Sequence, residues 1–313
     1  MLIYPIFIPF HGCPFRCVYC QQETITHTDY KSNSIDIEKI KLFINKHKDI
    51  EKEIAFFGGT FTALKKDKQL EYFTQITPLI DDKTFFRVST RPDCIDREIL
   101  AFLQENKVKT IELGIQSFDN HVLEKSQRQY SAEQAFDTCK MVQEHGFDLS
   151  IQLMPGLPGD TPDIFIETVN KALSLKPRFM RIYPTIVLKG TALEKWYQQG
   201  KYQAWCLNTA LHSVIMAAKI INTTNTKIIK IGLHSDLNIN KDDIVAGPWH
   251  QNFGEITRGI MFLSQKLSDD IKTLHITDKE ASMVLGNKKF VLEFCEKQLK
   301  LKLPCKIIVD KTI

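Results

Sequence analysis

The sequence lacks any run of about 18 apolar residues, the length that a membrane-spanning helix requires, so we predict no membrane span. It has no internal repeat, no low-complexity run and no linker rich in proline and glycine. The first ten residues, MLIYPIFIPF, are apolar but carry no charged leader or small-residue cleavage site, so we expect a first strand rather than a signal peptide. We therefore expect a cytoplasmic protein whose eight cysteines stay reduced.

A strong charge of either sign is also missing. The formal net charge is +4, which by itself does not indicate a nucleic-acid partner. With 43% hydrophobic and 25% charged residues, the composition is that of a globular protein. A chain of 313 residues can bury a large core without disulfides, and an α/β barrel often uses this length as one domain.

What the sequence does contain is a regular alternation of short apolar runs and amphipathic stretches. The apolar runs predict strands near residues 3–8, 54–57, 85–88, 110–113, 149–153, 178–183 and 228–232. The amphipathic stretches predict helices that include residues 35–46, 66–80, 96–104, 132–144 and 162–175. Thr161 and Pro162 suit the cap and first position of the last of these helices. The alternation indicates an α/β fold with a parallel sheet and right-handed crossovers.

Three cysteines follow the first predicted strand within one short loop. Cys13, Cys17 and Cys20 have the spacing C-x3-C-x2-C, and thiolates are the usual ligands of iron–sulfur clusters. Three thiolates around four irons leave one iron open to a further ligand, like an open catalytic metal position. The alternatives are a zinc site completed by His11 or His27, or three unrelated thiols. The remaining five cysteines are scattered, and we expect most of them to be structural.

The cysteine loop resembles that of the radical SAM superfamily, which uses S-adenosylmethionine (SAM). From about residue 3 to 255 the chain resembles the radical SAM half of the Elongator catalytic subunit. The resemblance is carried by the strings FGGTFT (57–62), STRPD (89–93), ELGIQS (112–117), QLMPGLPG (152–159), RIYPT (181–185) and KGT (189–191). We find neither the acetyltransferase domain nor the basic N-terminal extension of Elongator in these 313 residues. The resemblance is therefore to stand-alone, Elongator-like bacterial proteins, and no substrate can be carried over.

The resemblance implies a fold and a set of cofactor-binding residues. The fold is a partial parallel (β/α)6 barrel with a small C-terminal α+β appendage. A [4Fe–4S] cluster held by the three cysteines and bound SAM are the expected cofactors. The residues expected to bind SAM lie at or just beyond the ends of strands: Gly58, Gly59, Thr60, Ser89, Arg91, Gln116, Arg128 and Gln152.

Individual roles follow from similarity. The glycines would let backbone carbonyls approach the SAM amino group, and a valine at Gly59 would enter the SAM site. As in the oxygen-independent coproporphyrinogen oxidases, Gln116 would contact SAM and Arg128 would pair with its carboxylate. Gln152 stands where those relatives use an acid for the ribose hydroxyls. Glu112 lies inside a strand, where it is either a buried structural carboxylate paired with a basic side chain or a functional residue.

The end of the chain differs in composition from the rest. We place the barrel at residues 1–260 and an appendage at 261–313, which has ten lysines against seven acids. Its predicted order is strand, helix, glycine turn, helix, strand. The turn Gly286–Lys289 resembles the nucleic-acid-binding loop of a KH domain, although the second glycine is a lysine here. A plain capping element over the barrel is the other interpretation.

These observations predict a radical SAM enzyme of unidentified substrate. It would cleave SAM reductively to a 5′-deoxyadenosyl radical that abstracts hydrogen from the substrate, with a flavodoxin or ferredoxin as electron donor. RNA, tRNA in particular, is one predicted substrate and a small metabolite is the alternative. Two further hypotheses are a non-catalytic iron–sulfur redox sensor and a zinc protein that binds RNA.

Overall fold

The computed structural model of the chain describes residues 2–8, 10–22, 35–233, 240–267, 273–286, 289–304 and 306–310. The sequence predictions that involve His27, Lys288 and Cys305 lie outside these residues. The seven cysteines within them are all free thiols.

A curled parallel sheet dominates the described part of the chain. Seven strands form it in the order β1-β2-β3-β4-β5-β6-β8. Their bounds are β1 Leu2–Phe7, β2 Lys52–Phe57, β3 Thr84–Thr90, β4 Val108–Gln116, β5 Asp148–Leu153, β6 Phe179–Ile182 and β8 Lys227–Ile231. The short strands β7, Val187–Leu188, and β9, Ile244–Ala246, pair antiparallel outside this sheet. The predicted partial parallel barrel is confirmed. Its seven strands lie at the seven apolar runs predicted from the sequence, with β8 at the run 228–232, which is one strand more than a (β/α)6 barrel has.

Helices cover the outside of the sheet because their apolar faces pack against its buried strands. In chain order they are α1 Ile37–Lys46, α2 Lys66–Ile76, α3 Arg97–Glu105, α4 Asn120–Lys125, α5 Ala132–Glu144, α6 Pro162–Ser174, α7 Ala192–Gln198, α8 Leu207–Asn222 and α9 Phe253–Lys266. The predicted start of α6 is confirmed, since the hydroxyl of Thr161 accepts a hydrogen bond from the Ile164 amide with Pro162 at the first position. No helix in the described ranges is long and apolar enough to cross a membrane.

The appendage has the predicted order of elements. Strand β10 (Thr273–Thr277) leads to α10 (Asp278–Leu285) and α11 (Phe290–Lys297), and β11 (Lys306–Asp310) pairs parallel with β10. The two helices pack on α9, where a Cβ on Gly259 would lie 2.6 Å from the Met283 carbonyl oxygen. Helix α9 runs across residue 260 and shares one apolar core with barrel and appendage. The boundary at 260 and the KH likeness stay predictions.

The parallel order fixes where a ligand site can lie. The carboxyl ends of β1 to β6 lie at one edge of the sheet, so the loops that follow these strands meet there. The cysteine loop follows β1, and the Gly58–Thr60 segment follows β2.

Candidate cofactor cavity

One cavity of about 770 Å³ occupies the inside of the half-barrel, and we call it the barrel cavity. It is lined by all eleven residues that the sequence analysis singled out: Cys13, Cys17, Cys20, Gly58, Gly59, Thr60, Ser89, Arg91, Gln116, Arg128 and Gln152. They come from the ends of β1 to β5 and their loops, which explains how residues up to 139 positions apart in sequence meet in one place.

The cysteine loop is held by backbone contacts to the end of β2. The Thr60 amide donates to the His11 carbonyl oxygen at 2.8 Å. A Cβ on Gly12 would lie 2.2 Å from the Thr60 carbonyl oxygen, and one on Gly59 would lie 2.1 Å from that of His11. The two glycines therefore let the loop and the strand end touch backbone to backbone.

This contact corrects the role expected of Gly59. A side chain at Gly59 would collide with the carbonyl oxygens of His11 and Ile8, so it would displace the cysteine loop rather than enter the cavity. Gly58 has φ +103°, a backbone conformation that favours glycine. Gly12, which the sequence analysis left unassigned, has φ +72° and is part of the same contact.

The three thiols lie in different electrostatic surroundings. Burial alone would raise the pKa of Cys17, but the guanidinium groups of Arg128 and Arg91 outweigh it and lower the pKa. Nη1 of Arg128 lies 3.0 Å from the Cys17 sulfur and Nη1 of Arg91 lies 3.7 Å from it. Burial raises the pKa of Cys13, whose sulfur is 3.3 Å from the Thr60 hydroxyl. Burial and the two neighbouring thiols raise the pKa of Cys20 to about 12.

Arg128 is a buried cation at the wall of the cavity. Its Nε donates to the Tyr130 hydroxyl at 2.8 Å, its Nη1 to the Tyr19 hydroxyl at 3.2 Å, and its Nη2 to the Gly114 carbonyl oxygen. Its neighbours Gln127 and Gln129 both have positive φ, 55° and 61°, which is costly for residues with a Cβ. With the Cys17 sulfur, these contacts take four of the five guanidinium N–H donors, which leaves one on Nη2 that a SAM carboxylate could accept from.

Arg91 supports Arg128 from the end of β3. It forms a bidentate ion pair with Asp93, with N–O distances of 2.9 and 2.7 Å, and it donates to the backbone carbonyl of Arg128. This bidentate geometry is typical of arginine with a carboxylate and leaves little freedom of orientation. Arg91 thus contacts the cysteine loop and the Arg128 loop together.

The two glutamines form a pair at the ends of β4 and β5. Nε2 of Gln152 donates to Oε1 of Gln116 at 3.2 Å. Gln116 has φ +67° beside a shift in the β4–β5 register, between Gly114 and Gln116. A Cβ on Gly114 would lie 2.8 Å from Nε2 of Gln116, so this glycine makes room for the amide. The pair offers a donor and an acceptor to a bound ligand.

Deeper in the barrel, charged side chains of neighbouring strands form a network that sequence reasoning largely missed. Glu53 and Glu112 both bind Arg87, at 2.7 and 3.3 Å, and Arg181 lies 3.2 Å from Glu112. Ser89 donates to Glu112 at 2.9 Å, so its hydroxyl belongs to this network as well as to the cavity wall. Glu112 is thus a buried carboxylate paired with basic side chains, which is the structural one of the two roles predicted for it. The sequence signal for this network was a charged residue inside each of the apolar strands β2, β3, β4 and β6.

The arrangement supplies thiols for a cluster but no closed site for a single ion. In the described ranges no three His, Cys, Asp or Glu side chains converge closely enough to hold one metal ion. Three thiols do border one cavity, next to polar groups and a fixed cation. This donor set fits an iron–sulfur cluster with SAM beside it.

Comparison with known proteins decides the family. Residues 7–172 match the model of the radical SAM superfamily, and residues 177–261 match that of a radical SAM C-terminal domain. The chain belongs to the radical SAM superfamily. As a radical SAM enzyme it uses a [4Fe–4S] cluster and SAM, so the predicted class and cofactors are confirmed.

Individual relatives differ in what they are named for. The heme chaperone HemW of Bacillus subtilis is 29% identical over 205 residues, which covers 63% of this radical SAM enzyme and 53% of HemW. A tRNA uridine(34) acetyltransferase of Methanocaldococcus infernus is 30% identical over 228 residues, covering 65% and 41%. The chain thus spans about half the length of these curated relatives.

A solved structure supports the fold. The structure of N-terminally truncated archaeal Elp3 of Methanocaldococcus infernus has a TM-score of 0.64 at 18% identity and covers 85% of this chain and 64% of its own. The predicted likeness to the radical SAM part of Elongator is confirmed.

Proposed function

We propose that Cys13, Cys17 and Cys20 hold the [4Fe–4S] cluster and that SAM binds beside it in the barrel cavity. When bound, the cluster and SAM supply a 5′-deoxyadenosyl radical that abstracts hydrogen from a substrate. The observation that carries this proposal is the convergence of three thiols, a fixed arginine and two paired amides in one cavity. A flavodoxin or ferredoxin would deliver the electron.

The residues around the thiols would bind and orient SAM. Gly58 leaves the end of β2 open for close backbone approach, while Thr60 contacts the Cys13 sulfur. Arg128 and Arg91 would keep Cys17 in its ionised, ligating form, since both lie beside its sulfur. The amides of Gln116 and Gln152 would bond to SAM hydroxyl or amino groups.

We further propose that the substrate is RNA, tRNA being the form favoured by the tRNA-modifying relatives. Cations outnumber acids on the cavity wall, with Glu51 and Glu112 as its acids. The cations are Arg16, Arg91, Arg128, Arg178, Arg181, Lys227 and Lys230. Arg91, Arg128, Arg178 and Arg181 already bond to protein groups. Arg16 and Lys227 are exposed and could pair with phosphates, and such contacts dominate RNA affinity and make it sensitive to salt. In the appendage, Lys289 is exposed at the start of α11 and could add a phosphate contact.

The test is a SAM-cleavage assay with anaerobically reconstituted protein, with and without bulk tRNA, combined with filter binding at two salt concentrations. We expect tRNA to stimulate cleavage, and a Lys288→Glu/Lys289→Glu variant to bind tRNA more weakly while its tRNA-independent cleavage is unchanged. Cleavage without salt-sensitive binding at micromolar protein would indicate a small-molecule substrate. A cluster without any cleavage would indicate a redox sensor.

A further inference from the structure

A second cavity of about 950 Å³, which we call the outer cavity, lies among loops at the edge of the sheet where the strands have their carboxyl ends. Three segments line it, each after the carboxyl end of a strand: part of residues 121–127 after β4, residues 157–160 after β5, and part of residues 196–209 beyond β6 and β7. Gln127 lines the outer cavity and the next residue, Arg128, lines the barrel cavity. The two cavities therefore share a wall.

Three aromatic side chains of the outer cavity are fixed in place. The ring of Trp205 packs on Gly156, where an added Cβ would lie 3.2 Å from it. The hydroxyl of Tyr202 donates to the Gly156 carbonyl oxygen at 2.6 Å. The side chain of Trp196 packs against the buried cluster formed by Val18, Val187, Leu193 and Tyr202. Both tryptophans are only half-buried, so they offer rigid, accessible surfaces at low entropic cost.

Basic side chains accompany these rings. Lys125, Lys201 and His121 are exposed along the cavity, and Glu124 is the exposed acid among the lining residues. Rigid indoles next to ammonium groups are the combination that binds single-stranded nucleic acid, because bases stack on the rings and phosphates pair with the lysines. A small apolar metabolite would make no use of the two lysines.

We propose that the outer cavity binds one or two nucleotides of single-stranded RNA next to the nucleotide that enters the barrel cavity. This inference rests on the proposed RNA substrate and names the part of the protein that would hold its flanking bases. The volume is at the upper end of the range for ligand pockets, about 300–1,000 Å³, which suits more than one nucleotide. Because Gln127 and Arg128 line the two cavities on either side of this wall, neighbouring nucleotides of one strand would occupy one cavity each.

The test measures binding of a fluorescently labelled, unstructured ten-nucleotide RNA to the full-length reconstituted protein by anisotropy. We expect Trp205→Leu and Trp196→Leu to weaken binding about tenfold each, the loss typical of one stacked base. The double variant Lys125→Glu/Lys201→Glu, which changes two exposed residues, should weaken RNA binding and reduce the salt dependence of that binding. An RNA of equal length with abasic sites should bind more weakly than the base-containing RNA.

Two controls match these variants. Lys195→Glu reverses an exposed charge on the same helix as Trp196 but outside the outer cavity, and Trp249→Phe changes a tryptophan outside it. Both should bind the RNA like the parent protein. Iron content and SAM cleavage without RNA should be the same in every variant, because none of the changed residues lines the barrel cavity. The charge-reversal variant keeps the test decisive if a tryptophan variant misfolds.

The outcomes separate this inference from the proposed function. If the protein binds RNA but none of the outer-cavity variants binds it more weakly, the inference is overturned, while the proposal of an RNA substrate still stands. The inference is also overturned if a mononucleotide, or the abasic RNA, binds as tightly as the ten-nucleotide RNA. Absence of RNA binding overturns it too, and SAM cleavage then still reports on the cluster and SAM site.

Discussion

At the scale of single residues, two glycines and the strained backbone around Arg128 determine how the cysteine loop and the arginine are positioned at the barrel cavity. Gly12 and Gly59 have no side chain at the points where the cysteine loop touches the end of β2, with added Cβ atoms only 2.2 and 2.1 Å from carbonyl oxygens. Arg128 is held by four protein groups on a backbone flanked by two positive φ angles. Each of these residues positions a group that the chemistry needs.

We expect Gly59→Ala to destabilise the cysteine loop. The new methyl group meets the backbone of His11, which cannot move without displacing the loop. The predicted cost is about 1–3 kcal/mol, as for overpacking in a core, together with a lower iron content after reconstitution. Urea unfolding and iron analysis measure the two effects. Gly146→Ala is the control: its φ of +83° also disfavours alanine, but nothing lies within 4 Å of its added Cβ, so it should lose some stability and keep its iron. Full iron content in Gly59→Ala would show that the loop tolerates the contact.

We expect Arg128→Gln to weaken SAM binding. It removes the charge beside Cys17 and the donors to Tyr19 and Tyr130. Loss of a charged hydrogen bond costs about 1.5–3 kcal/mol, which corresponds to roughly 10- to 150-fold in affinity. Equilibrium dialysis of SAM with the reconstituted protein measures it, with the exposed Arg97→Gln as control. Unchanged SAM affinity would place the carboxylate of SAM elsewhere.

At the scale of secondary-structure elements, polar contacts between strands and loops complement the apolar core. Glu53, Arg87, Glu112 and Arg181 come from β2, β3, β4 and β6, so the buried ion network joins four strands. The loop after β5 has its own half-buried carboxylate, Asp160, which accepts from the Gly156 amide at 2.8 Å. These contacts make sheet and loops rigid around the two cavities.

Glu112→Gln should destabilise the sheet. The change leaves the buried Arg87 and Arg181 without one of their counter-charges, and breaking a buried ion pair typically costs about 3–5 kcal/mol. Urea unfolding measures the difference in the free energy of unfolding. Glu105→Gln, at an exposed position of α3, should change it by no more than about 0.5 kcal/mol. A loss below about 1 kcal/mol for Glu112→Gln would mean that the network contributes little.

Asp160 predicts a pH dependence of stability. Burial raises the pKa of Asp160 to about 7, so folding favours its protonated form. The folded-state pKa lies above the unfolded one, so this stabilisation is complete below about pH 4 and is lost as the pH rises to 7. The free energy of unfolding should fall by at most about 1.4 kcal/mol per pH unit in that range. Asp160→Asn should remove this slope.

Urea titrations of the parent, Asp160→Asn and the exposed Asp163→Asn between pH 4 and 8 measure this effect. The difference between Asp160→Asn and the parent should grow up to about pH 7 and then level off. Asp163→Asn should keep the fall in stability that the parent shows as the pH rises to 7. Parallel curves for Asp160→Asn and the parent would contradict a raised pKa at Asp160.

At the scale of the whole molecule, the sequence predicted the parallel sheet from its periodicity, the three cysteines from their spacing and eight further lining residues of the barrel cavity from the family resemblance. Periodicity located the strands, and parallel order brings their carboxyl ends to one edge. The partners of Arg87 and Arg181 were not predictable, because a charge inside a strand gains meaning only when the register with its neighbours is known. The role of Gly59 depends on its contact with His11, 48 positions earlier in the sequence, and the outer cavity depends on segments that meet only in the folded chain.

The central claim is a cluster held by three thiolates, with one iron open for SAM. Iron analysis of the anaerobically reconstituted single variants Cys13→Ala, Cys17→Ala, Cys20→Ala and Cys94→Ala tests it most directly. Cys94 is the sharp control, because this half-buried thiol lies near enough to Cys13 to influence its charge, and Cys139→Ala is a core control. We predict about four irons per chain in the parent, Cys94→Ala and Cys139→Ala proteins, and loss of the cluster in the other three. A full cluster in Cys17→Ala, or its loss in Cys94→Ala, would contradict the claim.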